Sequence, residues 1–278
     1  MKILIYILKK LRIIFKSLGK NEEKINNLIK FLFWKKRNDI AELNYDDDDV
    51  NNDPLDIDKV NKFLPKKLAI CVTFFYNEKK ISILKKTCSE FKSLAQEVDV
   101  TIITNEHSDE KIEILKKSLE DVLKFFKIYV ARDLQHPKFL PWSHLVVMRK
   151  KVADSSFTHF MYLEDDIKVS SQNIIYWLNA RDSLKTFNLI PSFVRTEMNF
   201  KDKQIYIVDS TKKSNFKKTP KVYSLKNNTA FTNLLFPHQP VYFFDKELMN
   251  EYFNGPASDP DFAIPAAKDH YQGIVERL

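Results

Sequence analysis

The sequence predicts an α/β fold with a mainly parallel central sheet flanked by helices. Three observations point there. Short apolar, β-branched runs alternate with segments of helical periodicity. Those runs are apolar on both faces, as buried parallel strands are. Polar clusters stand at their carboxyl ends, where ligands bind in such sheets.

The elements follow in order from about Leu64. LAICVTFF (68–75) predicts the first buried strand. Ile81, Leu84, Cys88 and Phe91 then recur at helical spacing. VDVTIIT (98–104) is a second strand, Ile112, Leu115, Leu119 and Val122 mark a second helix, and KIYVA (127–131) is a third strand. After the loop DLQHPKFLPWSH come a helix over 143–154 and the strand THFMYL. Ser170 or Ser171 caps a helix that runs to about Phe187, with Ile174, Trp177, Leu178 and Leu184 inward. LIPSFVRTEMN and QIYIVDS read as further strands. PVYFFDKELMNEYFNG reads as strand then helix, with Asp245 as N-cap and Gly255 as stop.

The globular domain is therefore 64–278. Residues 39–63 are an acidic linker, sparse in apolar residues, and the Asp46–Asp49 run within it lacks the glycine and terminal Glu of a calcium loop. Residues 1–38 form a basic amphipathic helical segment. They hold 11 Lys and Arg against 2 acids, a charge of +9, whereas the remaining 240 residues hold 34 against 35. The net +8 thus belongs to one segment, which argues against a nucleic-acid-binding domain. Its apolar run Ile3–Leu8 is stopped by Lys9 and Lys10, well short of the roughly 20 residues of a membrane span. The expectation is a helix lying on the inner, anionic face of a membrane, with Phe33 and Trp34 near the interface, in a cytoplasmic, peripheral protein. The alternative is packing on its own domain or on a partner.

The chain has only three glycines, Gly19, Gly255 and Gly273. A phosphate loop needs clustered glycines for close backbone approach, so a P-loop and a Gly-rich dinucleotide fold are both disfavoured. Cys71 and Cys88 fall on apolar faces and read as buried thiols.

The chemistry concentrates in HFMYLEDDIKVSSQN (159–173), where Glu164, Asp165 and Asp166 follow an apolar strand. Two unit charges about 4 Å apart repel by roughly 4 kcal/mol at an effective dielectric of 20. In a concave site that repulsion is relieved by a cation or a shifted pKa. Oxygen ligands suit Mg²⁺ or Mn²⁺, which use one or two carboxylates together with a diphosphate. A cation would also supply the phosphate grip that the missing glycines do not. Tyr76-Asn77-Glu78 and Asn105-Glu106 stand at two further strand ends and complete a constellation.

YLEDD after an apolar strand resembles the Asp-x-Asp-type motif of GT-A-fold glycosyltransferases, in its Glu-Asp-Asp form. FFYNEKK resembles the YNEE stretch of family 2 members, and VTIITNEHSDEK their second strand, with Asn105 where Asp is usual. The stretch from PWSH through YLEDDI to IPSFVRTE is similar to bacterial surface-polysaccharide glycosyltransferases, and the resemblance spans about 66–278.

It implies a metal-dependent transfer of a hexosyl or N-acetylhexosaminyl unit, from a nucleotide-diphosphate donor of UDP-sugar type, to a glycan or lipid-linked acceptor. Asp166 would ligate Mn²⁺ or Mg²⁺, Asp165 would contact the ribose or the metal, and Glu164 would support both. Tyr76, Asn77, Glu78 and Asn105 would line the nucleotide pocket, with Arg195 facing a phosphate or pairing with Glu197. Glu197, Asp259 and Asp261 are the candidates for a base that deprotonates the acceptor. His270 is the candidate late metal ligand, with His238 behind it. His136, Trp142 and His144 could face the sugar or pack. Relatives continue past GIVERL, so the expectation includes a C-terminus shorter than theirs. Two other classes fit the same residues: a silent GT-A-like module that binds glycan or membrane, and a nucleotidyltransferase.

Overall fold

The computed structural model describes residues 63–132, 134, 136–199, 202–207, 221–224, 229–232 and 240–259. The 1–38 segment, residues 39–62 of the acidic linker with Asp46–Asp49, and His238, Asp261 and His270 all lie outside the described residues. The chain divides into two units, one containing Val194–Pro237 and the other Asp53–Phe193 with His238–Leu278.

The larger unit is built on a five-stranded sheet of order β3-β2-β1-β4-β9. Its strands are β1 (Lys67–Phe74), β2 (Glu97–Thr104), β3 (Phe126–Val130), β4 (His159–Glu164) and β9 (Val241–Asp245). The first four are parallel, and β9 runs antiparallel along β4. β1 is the central strand and is buried along seven of its eight residues, as its unbroken apolar run predicts.

Helices cover both faces. Leu68, Ile70, Val72 and Phe74 of β1 pack toward α1 (Ile81–Cys88), α2 (Asp109–Leu119) and α4 (Ser171–Leu184). The alternating Ala69 and Cys71 pack toward α3 (His144–Ala153) and α5 (Lys246–Asn254). Trp177 anchors the first layer: its ring meets Phe243 edge-on at 4.8 Å and its Nε1–H donates to the Pro191 carbonyl at 3.0 Å. The mainly parallel α/β expectation therefore holds, with the antiparallel edge strand as the addition.

Local chemistry sets the helix ends. Ser170 caps α4 and exchanges a reciprocal bond with Asn173. Asp245 caps α5, accepting from Leu248 N at 2.8 Å, and Arg181 holds its other oxygen at 2.8 Å. Gly255 ends α5 without a left-handed backbone; a Cβ there would meet the Glu251 carbonyl at 3.3 Å. The first helix stops at Cys88, earlier than its periodicity predicts, yet Phe91 is still buried through a short 3-10 turn. Both cysteines are free and buried, and burial pushes the Cys88 thiol up to about 12.

The smaller unit differs from its sequence reading. Among the described residues of LIPSFVRTEMN and QIYIVDS, β5 (Thr196–Met198) and β6 (Ile205–Ile207) form, paired antiparallel, and residues 189–195, most of them in the larger unit, form no strand. Pro191 lacks an N–H, and Asn188, which closes the 3-10 turn Lys185–Phe187 after α4, has φ 53°; the apolar run LIPSFV that follows pairs with no strand. A second antiparallel pair, β7 (Lys221–Ser224) with β8 (Thr229–Thr232), was not anticipated. Its strands are four residues long and carry no long apolar alternation.

Candidate functional site

In this sheet the chain steps outward from β1 to β2 to β3, then crosses back to place β4 on the other side of β1. Such a reversal leaves a crevice at the carboxyl ends of the two central strands. Here those ends belong to β1 and β4, and Thr73 lies opposite Glu164 in their register. FFYNEKK and LEDD therefore flank the same crevice, although about ninety residues separate them in sequence.

At the β1 end Phe74 is buried and Phe75 is exposed, so the chain leaves the core within one residue. The Tyr76 N–H donates to Asn105 Oδ1 at 2.9 Å. Asn105, at the end of β2, therefore ties the two strand ends together with its side-chain carbonyl. Asn77 accepts from Lys79 N at 3.0 Å and starts the 3-10 turn Glu78–Lys80, which leaves Glu78 exposed.

Glu106 is committed to the scaffold. Its Oε1 accepts from His107 N and Ser108 N at 3.0 and 2.9 Å, and its Oε2 pairs with Lys111 at 3.1 Å. The Ser108 N–H, with Lys111 and His107, holds its carboxyl below the usual range. It secures the start of α2, where Ser108 is the N-cap.

The acidic triplet is arranged otherwise. Glu164 closes β4, half-buried, and its N–H donates to the Pro240 carbonyl at 3.2 Å. Asp165 opens the following turn. Its main-chain carbonyl accepts from Thr87 Oγ1 of α1 at 2.9 Å, so α1 clamps the turn in place. Its carboxylate Oδ2 is buried and has no hydrogen-bond partner in the protein. Burial pushes the Asp165 carboxyl up, with Lys80 pulling it down and Asp166 pushing it up again. Asp166 is exposed.

A buried carboxylate oxygen without a donor costs free energy, on the order of a few kcal/mol, until something meets it. Two carboxylates are also the donor set that Mg²⁺ or Mn²⁺ takes from a protein when a diphosphate supplies further oxygens. Among the described residues no three His, Cys, Asp or Glu side chains gather into an all-protein cation cage. The residues present thus fit a cation shared with a ligand.

Arg195 and Glu197 belong to the smaller unit, where they pair at 3.7 Å and Glu197 is exposed on β5. Asp259 lies in the larger unit, exposed after the turn Pro256–Ser258. His144 and Trp142 are buried, so of the two readings for them, packing holds. His136 is half-buried and meets Phe139 edge-on.

Thr87 was missed by sequence reasoning. It falls on the apolar face of α1 with Ile81, Leu84 and Cys88, and a polar residue inside that stripe was the available signal.

Among the described residues no helix is long and apolar enough to cross a membrane. No family model and no curated protein matches the sequence. Among solved structures, S. aureus TarS aligns over 66% of this chain and 29% of its own, at 14% identity and a TM-score of 0.39. S. aureus TarS 1–349, alone and in complex with UDP, aligns over 76% of this chain and 54% of its own, at 13% and 12% identity with TM-scores of 0.40 and 0.41. The chain covers less than two thirds of the length of each, and a likeness this shallow carries neither ligand nor activity across.

Proposed function

We propose that this chain is a glycosyltransferase of GT-A type, moving a sugar from a nucleotide-diphosphate donor to a glycan or lipid-linked acceptor in surface-polysaccharide synthesis. The observation that carries the reading is the Asp165 carboxylate: half-buried, with one oxygen lacking a donor, at the reversal point of an α/β sheet. Its resemblance to the Glu-Asp-Asp motif supports the same reading.

In this reading Asp165 and Asp166 hold Mn²⁺ or Mg²⁺, with His270 as a further ligand, and Glu164 and Arg195 contact the donor. The cation, when bound, neutralises charge on the departing diphosphate. Tyr76, Asn77 and Glu78 form the crevice wall on the β1 side. Asn105 already accepts from Tyr76 N with its carbonyl oxygen, which orients the side chain and would leave its amide N–H groups for a nucleobase. The acceptor base is drawn from Glu197, Asp259 and Asp261. Residues 1–38 would hold the protein peripherally on the cytoplasmic membrane face by charge and apolar burial.

The test is calorimetric titration of the full chain with a panel of nucleotide sugars, with and without Mn²⁺, followed by a transfer assay with the donor that binds. Binding that requires Mn²⁺ and is lost in excess EDTA is expected. No binding by any donor, with or without metal, overturns the proposal; binding unaffected by EDTA removes the metal from it.

A further inference from the structure

Lys79 and Lys80 stand immediately before α1, and both are exposed. Their main chain is fixed. Asn77 Oδ1 accepts from Lys79 N at 3.0 Å, and the Asn77 carbonyl accepts from Lys80 N at 2.8 Å. Lys80 has a right-handed backbone and leads directly into the helix. Lys80, Leu84 and Thr87 fall at positions i, i+4 and i+7, so they share one face. That face is turned to the acidic turn, since Thr87 Oγ1 donates to the Asp165 carbonyl at 2.9 Å. Lys79 is rotated away from it by about 100°.

Lysines of the neighbouring segments are already paired: Lys85 with Asp121, Lys111 with Glu106 and Lys168 with Glu90. Lys80 differs from them. Among the described residues its ammonium forms no hydrogen bond and no ion pair. Its charge nevertheless acts on Asp165, holding that carboxyl lower than burial alone would. Lys80 is thus near enough to be felt by Asp165 and too far to pair with it.

Charge balance gives such a lysine a task. Two carboxylates and one divalent cation cancel, so a diphosphate bound to that cation keeps its own negative charge. The charge grows as the sugar leaves, because a bridging oxygen becomes a free one. The chain has no clustered glycines to meet it with main-chain N–H groups. Arg195 lies in the smaller unit, paired with Glu197. An ammonium on a flexible stem can follow a phosphate oxygen as a point charge.

We propose that Lys80 is a donor-binding residue, whose ammonium contacts a diphosphate oxygen of the nucleotide sugar on the α1 side of the cation held by Asp165 and Asp166. This role deepens the glycosyltransferase reading and rests on it. Lys80 then acts oppositely on the two charged ligands of the site. It repels the bare cation and attracts the anion that joins it.

The full chain is titrated with Mn²⁺ alone, and with inorganic pyrophosphate, UDP, GDP and ADP in the presence of Mn²⁺. Wild type is compared with Lys80→Met, Lys80→Arg and Lys79→Met. Methionine removes the charge and keeps an unbranched side chain, and melting temperatures should hold because both lysines are exposed. Lys80→Met is expected to weaken the diphosphates that bind wild type about tenfold. It should leave Mn²⁺ alone as tight as in wild type, or up to about twofold tighter. Lys80→Arg should restore most of the loss, and Lys79→Met should show none. Wild-type diphosphate affinity in Lys80→Met overturns the role and leaves the donor reading standing. So does an equal loss in Lys79→Met, which makes the effect one of general charge, or a parallel loss of Mn²⁺ affinity, which makes it a structural defect. A wild type that binds no diphosphate with Mn²⁺ overturns the donor reading, and this role with it.

Discussion

The ends of β2 and β4 look alike in sequence and behave as opposites. Each closes a buried parallel strand with acidic and polar residues. At the β2 end, Glu106 accepts two main-chain N–H groups and a lysine, and Asn105 accepts a third N–H. At the β4 end, Asp165 engages its neighbours through its main-chain carbonyl and leaves a buried carboxylate oxygen unmet. The first cluster is consumed by the fold. The second keeps its acceptor for something else. Polar residues at strand ends are therefore not equivalent evidence of a site; what matters is whether the protein has already used their hydrogen-bonding capacity.

Four substitutions break or sharpen that contrast. Asp166→Ala has the largest expected effect: transfer falls about a hundredfold or more, because a cation on a departing diphosphate contributes several kcal/mol. Circular dichroism should be unchanged, since Asp166 is exposed. Activity at the wild-type level would place Asp166 with Glu106, as scaffold.

Glu106→Gln should act on stability instead. Losing the charged acceptor at the start of α2 costs roughly 1–2 kcal/mol, or a few degrees in melting temperature. The pH dependence has a definite sign. The folded state holds this carboxyl below its unfolded value, so the contribution is full above an unfolded pKa of about 4.3 and fades as pH falls through the depressed value. The melting difference between wild type and variant should therefore be constant near neutrality and close in acid. A difference that grows in acid would contradict the assignment.

Thr87→Val removes the hydroxyl that clamps the Asp165 turn, at an expected cost of about 1 kcal/mol by chemical denaturation. Because the clamp acts on the turn, donor affinity should weaken as well; stability loss without any change in affinity would reduce Thr87 to a core residue. The smallest effect carries the opposite sign. Asp165→Asn removes a half-buried charge and should stabilise metal-free protein slightly, by about 1 kcal/mol or less, read as a small rise in melting temperature, while lowering affinity for a donor with Mn²⁺. A destabilised Asp165→Asn would mean that the carboxylate is already satisfied.

Much of the architecture was legible because apolar periodicity is a local property. The strands around LAICVTFF, VDVTIIT and THFMYL, and the helix between Ser170 and Phe187, all formed where the pattern put them. The stretch from Leu189 through the smaller unit was read less well. An apolar run broken by Pro191 carries no instruction about which partner strand will pair with it. The candidate site was legible as a set of strand ends, and the Glu164-Asp165-Asp166 cluster does stand at the reversal point.

The sequence by itself therefore determined the order of strands and helices, the concentration of the net positive charge in residues 1–38, and the placement of three polar clusters at carboxyl ends. Each depends on residue type and spacing along one segment. The tertiary structure alone decided that β1 and β4 are neighbours, that Glu106 is spent on its own helix while Asp165 is not, and that His144 lies in the core against Tyr162 and Tyr242. These are contacts between residues up to about a hundred positions apart. Whether a polar group is met or left open is settled only when the chain closes around it.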